Sequence, residues 1–349
     1  MREFLQRARF VWLYLAAFLF VWAAGTIGRE VVRFLEGWGG ETRALDFRFE
    51  GDLFVDARDP HSVAEAVRGC EVCVNCADYR LNLGVMRGCL AAGAHYVDLG
   101  GLYHMTRRQL ELEGEFRASG LTAILGLGSA PGKTNLLARA AVDRLGKEPR
   151  SLQIWAVTRD PAAADHPFPA PYSVRTLLDE LRMRPMVVRG GRVTDVEPLS
   201  GEAEHDFPEP IGRATGIYTL HSELATLPER YPTLEDASFR LCLTPGLLAK
   251  LLALREGEEP EPYTQSEQSV AVHLVEVGDG SGPVVGMTVT RGGSARSTSE
   301  PAARAAVELA KGRLAAPGVQ PPEEAIRDPE SFLALLDTEV RWSEGAPAH

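Results

Sequence analysis

The sequence predicts an α/β protein: a doubly wound parallel sheet followed by a second, β-rich α+β region built mostly on antiparallel strands. Three observations carry this. Short apolar runs alternate with helical patterns through the first third. From about Ser151 the apolar runs are instead separated by turn residues. Near the end, SEPAARAAVELAKGRL makes one long alanine-rich helix suited to packing back on the first region.

In chain order, Ala16–Trp22 is a buried strand, and a helix over Ile27–Leu35 opens directly after AAGTIG. Ala44–Phe47 and Leu53–Val55 are short candidate strands, and His61–Cys70 repeats its apolar positions at helical spacing. VCVN then reads as a strand, Leu83–Ala92 as a helix, HYVDLG as a strand, Arg107–Ser119 as a charged amphipathic helix, TAILGLG as a strand and Thr134–Leu145 as a helix. Beyond Ser151, LQIWAV, MVVRGGRV, IYTLH, SFRLCL, VAVHLVEV and VVGMTVT are strand-like, with one helix near Val174–Met183. The RGG at Arg189–Gly191 and the GDGSG at Gly278–Gly282 are hairpin turns. Ser299 caps the late helix, with Pro301 in its first turn, and PPEEAIRDPESFLALLD adds a Pro-initiated turn and a short helix.

The chain has 349 residues and a net charge of -11, which argues against a nucleic-acid partner or an anionic membrane surface. Phe10–Gly28 is nineteen residues without a charge, but its second half is the first strand and its glycine turn, and central parallel strands are continuously apolar. No membrane is needed to explain it, and residues 1–15 are left as an N-terminal extension. Five cysteines without framework spacing fit reduced thiols in a cytoplasmic protein. Cys70, Cys73 and Cys76 make a C-x2-C-x2-C run, but along a strand residues three apart face opposite ways, so no metal site is expected. GSAPGKT has Leu127 where a Walker A loop needs its first glycine.

Ligands of an open parallel sheet bind beyond the carboxyl ends of its strands. That rule selects AAGTIG (Gly25, Thr26, Ile27, Gly28), Asp46, NCADYRLN (Asn75, Cys76, Tyr79, Asn82), DLGGLYH (Asp98, His104) and GLGSAPGKTN (Gly128, Ser129, Pro131). AAGTIG keeps the second and third glycines of a dinucleotide fingerprint, with Ala23 at the first; alternatively it is a tight strand-to-helix turn. Asp46 lies eighteen residues after Gly28, near the distance of a carboxylate on the ribose 2′-OH of NAD, or is a solvated turn residue; Arg48 keeps NADP open.

Asn75–Asn82 (N-x-x-x-Y-x-x-N), His95–Gly101 (HYVDLGG) and Gly128–Asn135 (G-S-A-P-G-x-T-N), with YSVRTLLDE, YTLHSELATLP and PPEEAIRDPESF, resemble the saccharopine dehydrogenase-like oxidoreductases, with the nearest look to lysine 6-dehydrogenase-like members. The resemblance implies a Rossmann-type domain over 16–135 and 297–349, an inserted substrate-binding and dimerisation domain over 136–296, NAD or NADP as cofactor, and a homodimer. It implies oxidation of a C–N bond in an amino acid, of lysine type, or the reverse, saccharopine-type imine reduction. The alternative is a catalytically weak or inactive cofactor-binding regulatory protein of the same fold. Such chemistry needs an acid/base group and a carboxylate anchor. The acid/base candidates are Asp98 (or a cap of the GGLYH turn), His104 (or a solvated loop residue), Tyr79 (or a core aromatic) and His221 (or a satisfied core histidine). Arg175 is the first choice to hold a carboxylate, or it pairs with Asp179; Tyr172 and Asn82 complete the substrate set. Two departures stand out. Only Arg48–Asp52 separates the second and third candidate strands, too little for a parallel crossover, and Lys133 stands where the family usually has an aliphatic residue, as a cation at the site or a cap on the helix turn.

Overall fold

In a computed structural model, residues 18–22, 25–45, 55–255, 257–258, 260, 263–314 and 316–344 are described. The first region follows the βα rhythm: β1 Phe18–Trp22, α1 Thr26–Gly37, β2 Glu41–Leu45, α2 Pro60–Val67, β3 Val72–Asn75, α3 Asn82–Ala92, β4 His95–Asp98, α4 Leu102–Leu110, α5 Glu113–Ala118, β5 Thr122–Ile124 and α6 Lys133–Leu145. The second contains β6 Ser151–Arg159, α7 Val174–Arg182, β7 Met186–Arg189, β8 Arg192–Asp195, β9 Ala203–Asp206, β10 Arg213–Tyr218, α8 Glu223–Arg230, β11 Asp236–Cys242, α9 Pro245–Ala253, β12 Val270–Gly278 and β13 Pro283–Arg291. The chain ends with α10 Gly293–Ala310, β14 Gly318–Gln320, α11 Pro322–Ala325, α12 Pro329–Ala334 and β15 Glu339–Glu344.

Six strands form an all-parallel sheet in the order β14-β5-β4-β3-β1-β2. Strand order reverses at β1/β3, where an open α/β sheet forms its ligand crevice. The nine-stranded sheet runs β15-β13-β12-β6-β11-β10-β9, antiparallel except for the parallel pair β6/β11, and the β7–β8 hairpin joins β11. Gly190 and Gly191 both take positive φ (56° and 75°) in that hairpin, the conformation a two-residue turn requires.

Four readings are corrected. The crossover after β2 is present: Val55 is coil rather than strand, and α2, capped by Asp59 on the amides of His61 and Ser62, links β2 to β3. The charged helix of 107–119 is two helices, α4 and α5. The late helix begins at Gly293, six residues before Ser299. Ser299 Oγ instead shares its one hydrogen between the carbonyls of Ala295 (2.7 Å) and Ile27 (3.1 Å), and Pro301 lies inside the helix, where it offers Ser297 no amide hydrogen. Burial of α10 between the two sheets outweighs these local start signals. Finally, the tail is shared: α10 and β14 lie on the parallel sheet, but β15 pairs with β13 of the larger one. Asp46, Ala23 and residues 1–15 lie outside the described residues. Among the described residues no helix is long and apolar enough to cross a membrane.

Candidate active site

At the β1–α1 turn, Gly25 is the N-cap of α1. Its backbone is extended, it is exposed, no side chain caps the helix, and a Cβ built on it meets nothing within 4 Å. The first-turn amides are thus open to an anion. Thr26 is exposed beside it, whereas Gly28 is buried and Ile27 offers its carbonyl to Ser299 of α10. An uncapped helix start with room in front of it, at the sheet's switch point, fits the pyrophosphate of a dinucleotide.

The ends of β3 and β4 are held by a buried polar cluster. Asp98, 1% exposed, accepts from the amides of Gly126 (2.6 Å) and Gly100 (2.9 Å) on Oδ1, and from Tyr96 (2.9 Å), Asn82 (3.1 Å) and Gln109 (2.5 Å) on Oδ2. Burial pushes its carboxyl up while these bonds pull it down. A carboxylate accepts about four hydrogen bonds, so Asp98 is saturated by the chain's own donors and caps the 99–101 turn. Asn75 donates to Asn82 Oδ1 (2.9 Å) and Tyr96 OH (3.1 Å) and accepts from the Ala77 amide (3.1 Å). Asn75, Asn82 and Asp98, read as cofactor, substrate and acid/base residues, all spend their polar atoms shaping these loops. Cys76 is half-buried at the end of β3, and burial pushes the thiols of Cys70 and Cys76 up, against thiolate ligation.

The loop after β3 reaches across to α7. Tyr79 donates to Asp179 Oδ2 (2.7 Å), Arg80 pairs with Asp78 and Asp179, and exposed Arg175 lies 4.0 Å from Asp78. Burial, then the bond to Asp179, pushes the Tyr79 phenol up, so it stays protonated. Arg175 therefore stands among the carboxylates that join this loop to α7. His104 is exposed on α4 with its ring edge-on to Tyr103, apart from the groups below.

Those groups follow β10. His221, 4% exposed, stacks on Phe239 (3.6 Å between centroids, 12°) between two buried carboxylates: Nδ1 is 3.3 Å from Glu223 and Nε2 is 3.6 Å from Glu180. Tyr172, half-buried, donates to Glu180 at 2.5 Å, and Thr134 donates to Glu223 at 2.7 Å. Burial disfavours the imidazolium, but Glu223 and Glu180 outweigh it and raise His221 to about 9. The turn that holds it touches the parallel sheet's loops. A Cβ on Gly100 would stand 2.7 Å from Pro131 and 3.8 Å from Ser222 Oγ, and one on Gly128 3.3 Å from the Leu99 carbonyl. Ser129 is turned away from this meeting point, bonded to His273 (2.9 Å) and Ser297 (2.6 Å).

The structure brings together His221, Tyr172, Gly128 and Pro131. Sequence reasoning missed Glu180 and Glu223. Glu180 left a signal: it falls three residues after Leu177 on the buried stripe of α7, where a charge is anomalous. Because the folded His221 pKa is raised, its contribution to stability is complete below the unfolded value near 6.5 and lost as pH rises through about 9. Against His221→Gln, wild type should gain on the order of 3 kcal/mol at pH 6 relative to pH 10, read by denaturant unfolding. An equal gap at both pH values would remove the charged imidazole.

The model of the saccharopine dehydrogenase NADP binding domain matches residues 51–124. Carboxyaminopropylagmatine dehydrogenase of Synechocystis sp. is 24% identical over 341 residues, covering 82% of this chain and 84% of that protein. Among solved structures, the apo saccharopine dehydrogenase (L-Glu forming) of Saccharomyces cerevisiae superposes with a TM-score of 0.67 at 13% identity, over 94% of this chain and 100% of that one. The homospermidine synthase of Legionella pneumophila, in complex with NAD, gives 0.70 at 11% identity, over 94% and 91%. Both likenesses are of fold.

Proposed function

We propose that this chain belongs to the saccharopine dehydrogenase-like NAD(P)-dependent oxidoreductases, to which it is similar, and moves a hydride between its nicotinamide and the carbon of a C–N bond in an amino acid or a polyamine-related amine. The observation that carries this reading is the meeting of the His221 turn with the loops after β4 and β5, on the same sheet edge as the open start of α1. The nicotinamide supplies hydride acceptance or donation when bound. Gly25 and the first turn of α1 would hold its pyrophosphate. We assign the proton of the substrate nitrogen to a relay in which the half-buried Tyr172 hydroxyl, held protonated by burial and Glu180, would take it as its own hydrogen passes to Glu180, 3.6 Å from His221. Two buried carboxylates against one imidazole favour a cationic amine nearby, in keeping with the polyamine-type relative. Arg175 of α7 and Arg80 of the loop after β3 would hold a substrate carboxylate in exchange for Asp78 and Asp179. The crossover helix α2 removes one motive for the inactive-protein alternative. A lysine-type substrate, a homodimer and a cytoplasmic location belong to this proposal too; sedimentation velocity checks the dimer.

Purified protein should change the absorbance of the reduced nicotinamide with at least one member of a panel. That panel holds lysine, saccharopine and carboxyaminopropylagmatine in the oxidative direction, and agmatine with an amino-acid semialdehyde in the reductive one. Tight binding of NADH or NADPH with no turnover anywhere on it would sink the enzyme reading.

A further inference from the structure

Lys133 is the first residue of α6, directly after Gly132, and is 1% exposed. It is neither an exposed cation nor a surface cap. Its ammonium donates to Thr290 Oγ1 at 2.6 Å and to Ser297 Oγ at 2.5 Å. An ammonium has donors and no acceptor, so both bonds run from the lysine to the hydroxyls. Ser297 Oγ is in turn 2.6 Å from Ser129 Oγ, and Ser129 Oγ is 2.9 Å from His273 Nε2, hydrogen bonds that either partner can donate. His273 Nδ1 lies 3.2 Å from Thr288 Oγ1. Burial, then the charges of Lys133 and His221, hold His273 well below its ordinary value, so the imidazole is neutral. The second branch runs from Thr290 to Thr338 Oγ1 (2.7 Å) and on to the Val289 carbonyl (3.2 Å).

These two chains tie the 126–132 loop to α10, β12, β13 and the segment entering β15, that is, the parallel sheet's ligand edge to the larger sheet. We propose that Lys133 is a positioning residue for the reaction: its charge-assisted bonds to Ser297 and Thr290 anchor both chains and so hold Gly128–Pro131 in the shape that cofactor and substrate meet. The inference rests on the reading that this loop borders the reaction site.

The arrangement responds to pH. Burial lowers Lys133 to about 7, while the Glu300 carboxylate of α10 favours its charged form. His273 of β12 is neutral, and Thr290, Ser297 and Thr338 carry no charge. Above that pH the amine is neutral, and its bonds to Ser297 and Thr290 lose their charge assistance. A buried ammonium with a lowered pKa also burdens the fold at neutral pH, so an aliphatic replacement need not destabilise it. Position and stability are therefore separable.

The test compares full-length wild type, Lys133→Met and Lys133→Gln. It reads melting temperature, NADPH affinity by nicotinamide fluorescence, and, for any substrate found, kcat and KM between about pH 6 and 9. The Met variant is expected to melt at or above the wild-type temperature, to bind NADPH about tenfold more weakly at pH 6, and to lose an inflection near pH 7 that wild type shows; the Gln variant, which keeps a donor, recovers part of the affinity without the inflection. Wild-type affinity and an unchanged inflection in the Met variant would overturn the proposal, and if that variant fails to fold the same result in the Gln variant does so. Absence of turnover in wild type counts against the oxidoreductase chemistry alone, because the affinity comparison needs no substrate.

Discussion

Gly25→Asp should weaken NADH and NADPH binding by roughly 100-fold, about 2.7 kcal/mol, while leaving the melting temperature unchanged or slightly higher. The opposed signs arise from one location. Gly25 is the N-cap of α1, exposed and extended, with nothing within 4 Å of a built Cβ, so the aspartate fits without a clash. Aspartate at an N-cap accepts a first-turn amide and complements the helix dipole, which favours the fold. The same carboxylate occupies the position a pyrophosphate needs and repels it; at about 4 Å in a partly buried setting one such pair is worth about 4 kcal/mol before screening. Fluorescence titration and a thermal melt on one preparation read both quantities. Retention of wild-type affinity would move the pyrophosphate away from α1.

The second large effect is on stability. Asp98→Ala should cost about 4 kcal/mol, because it strips the acceptor from five donors, those of Gly100, Gly126, Tyr96, Asn82 and Gln109, in a site that is 1% exposed. Asp98→Asn should also be costly, at about 3 kcal/mol, since its NH2 group faces donors in place of an acceptor. Denaturant unfolding measures both. An Asn variant with wild-type stability and no turnover would instead return Asp98 to acid/base work.

His221 shows how local patterning and tertiary placement divide the information. The apolar run before it marks the end of a strand, and that much is visible in IYTLH. Its charge state is not, because that depends on Glu180, forty-one residues earlier, as well as on neighbouring Glu223. Asp98 is the converse case. Its position at the carboxyl end of a parallel strand singled it out, but that position suits a loop-shaping carboxylate as well as a catalytic one, and only the identity of its donors separates the two. Ser299 and Pro301 misled for a third reason. Both are strong start signals in isolation, and α10 overrides them because it is buried between two sheets.

The sequence by itself determined the alternation of strands and helices, the change to a β-rich region near Ser151, and the glycine-rich turns on one sheet edge. Each is a local property, carried by apolar period and by residues that tolerate tight turns. Tertiary structure alone decided which polar groups meet. Lys133 bonds Ser297 and Thr290, 164 and 157 residues away, and Thr134 reaches Glu223 across 89. Hydrogen bonds act over about 3 Å, so their partners are set only once the two sheets have docked, and no spacing along the chain encodes that distance.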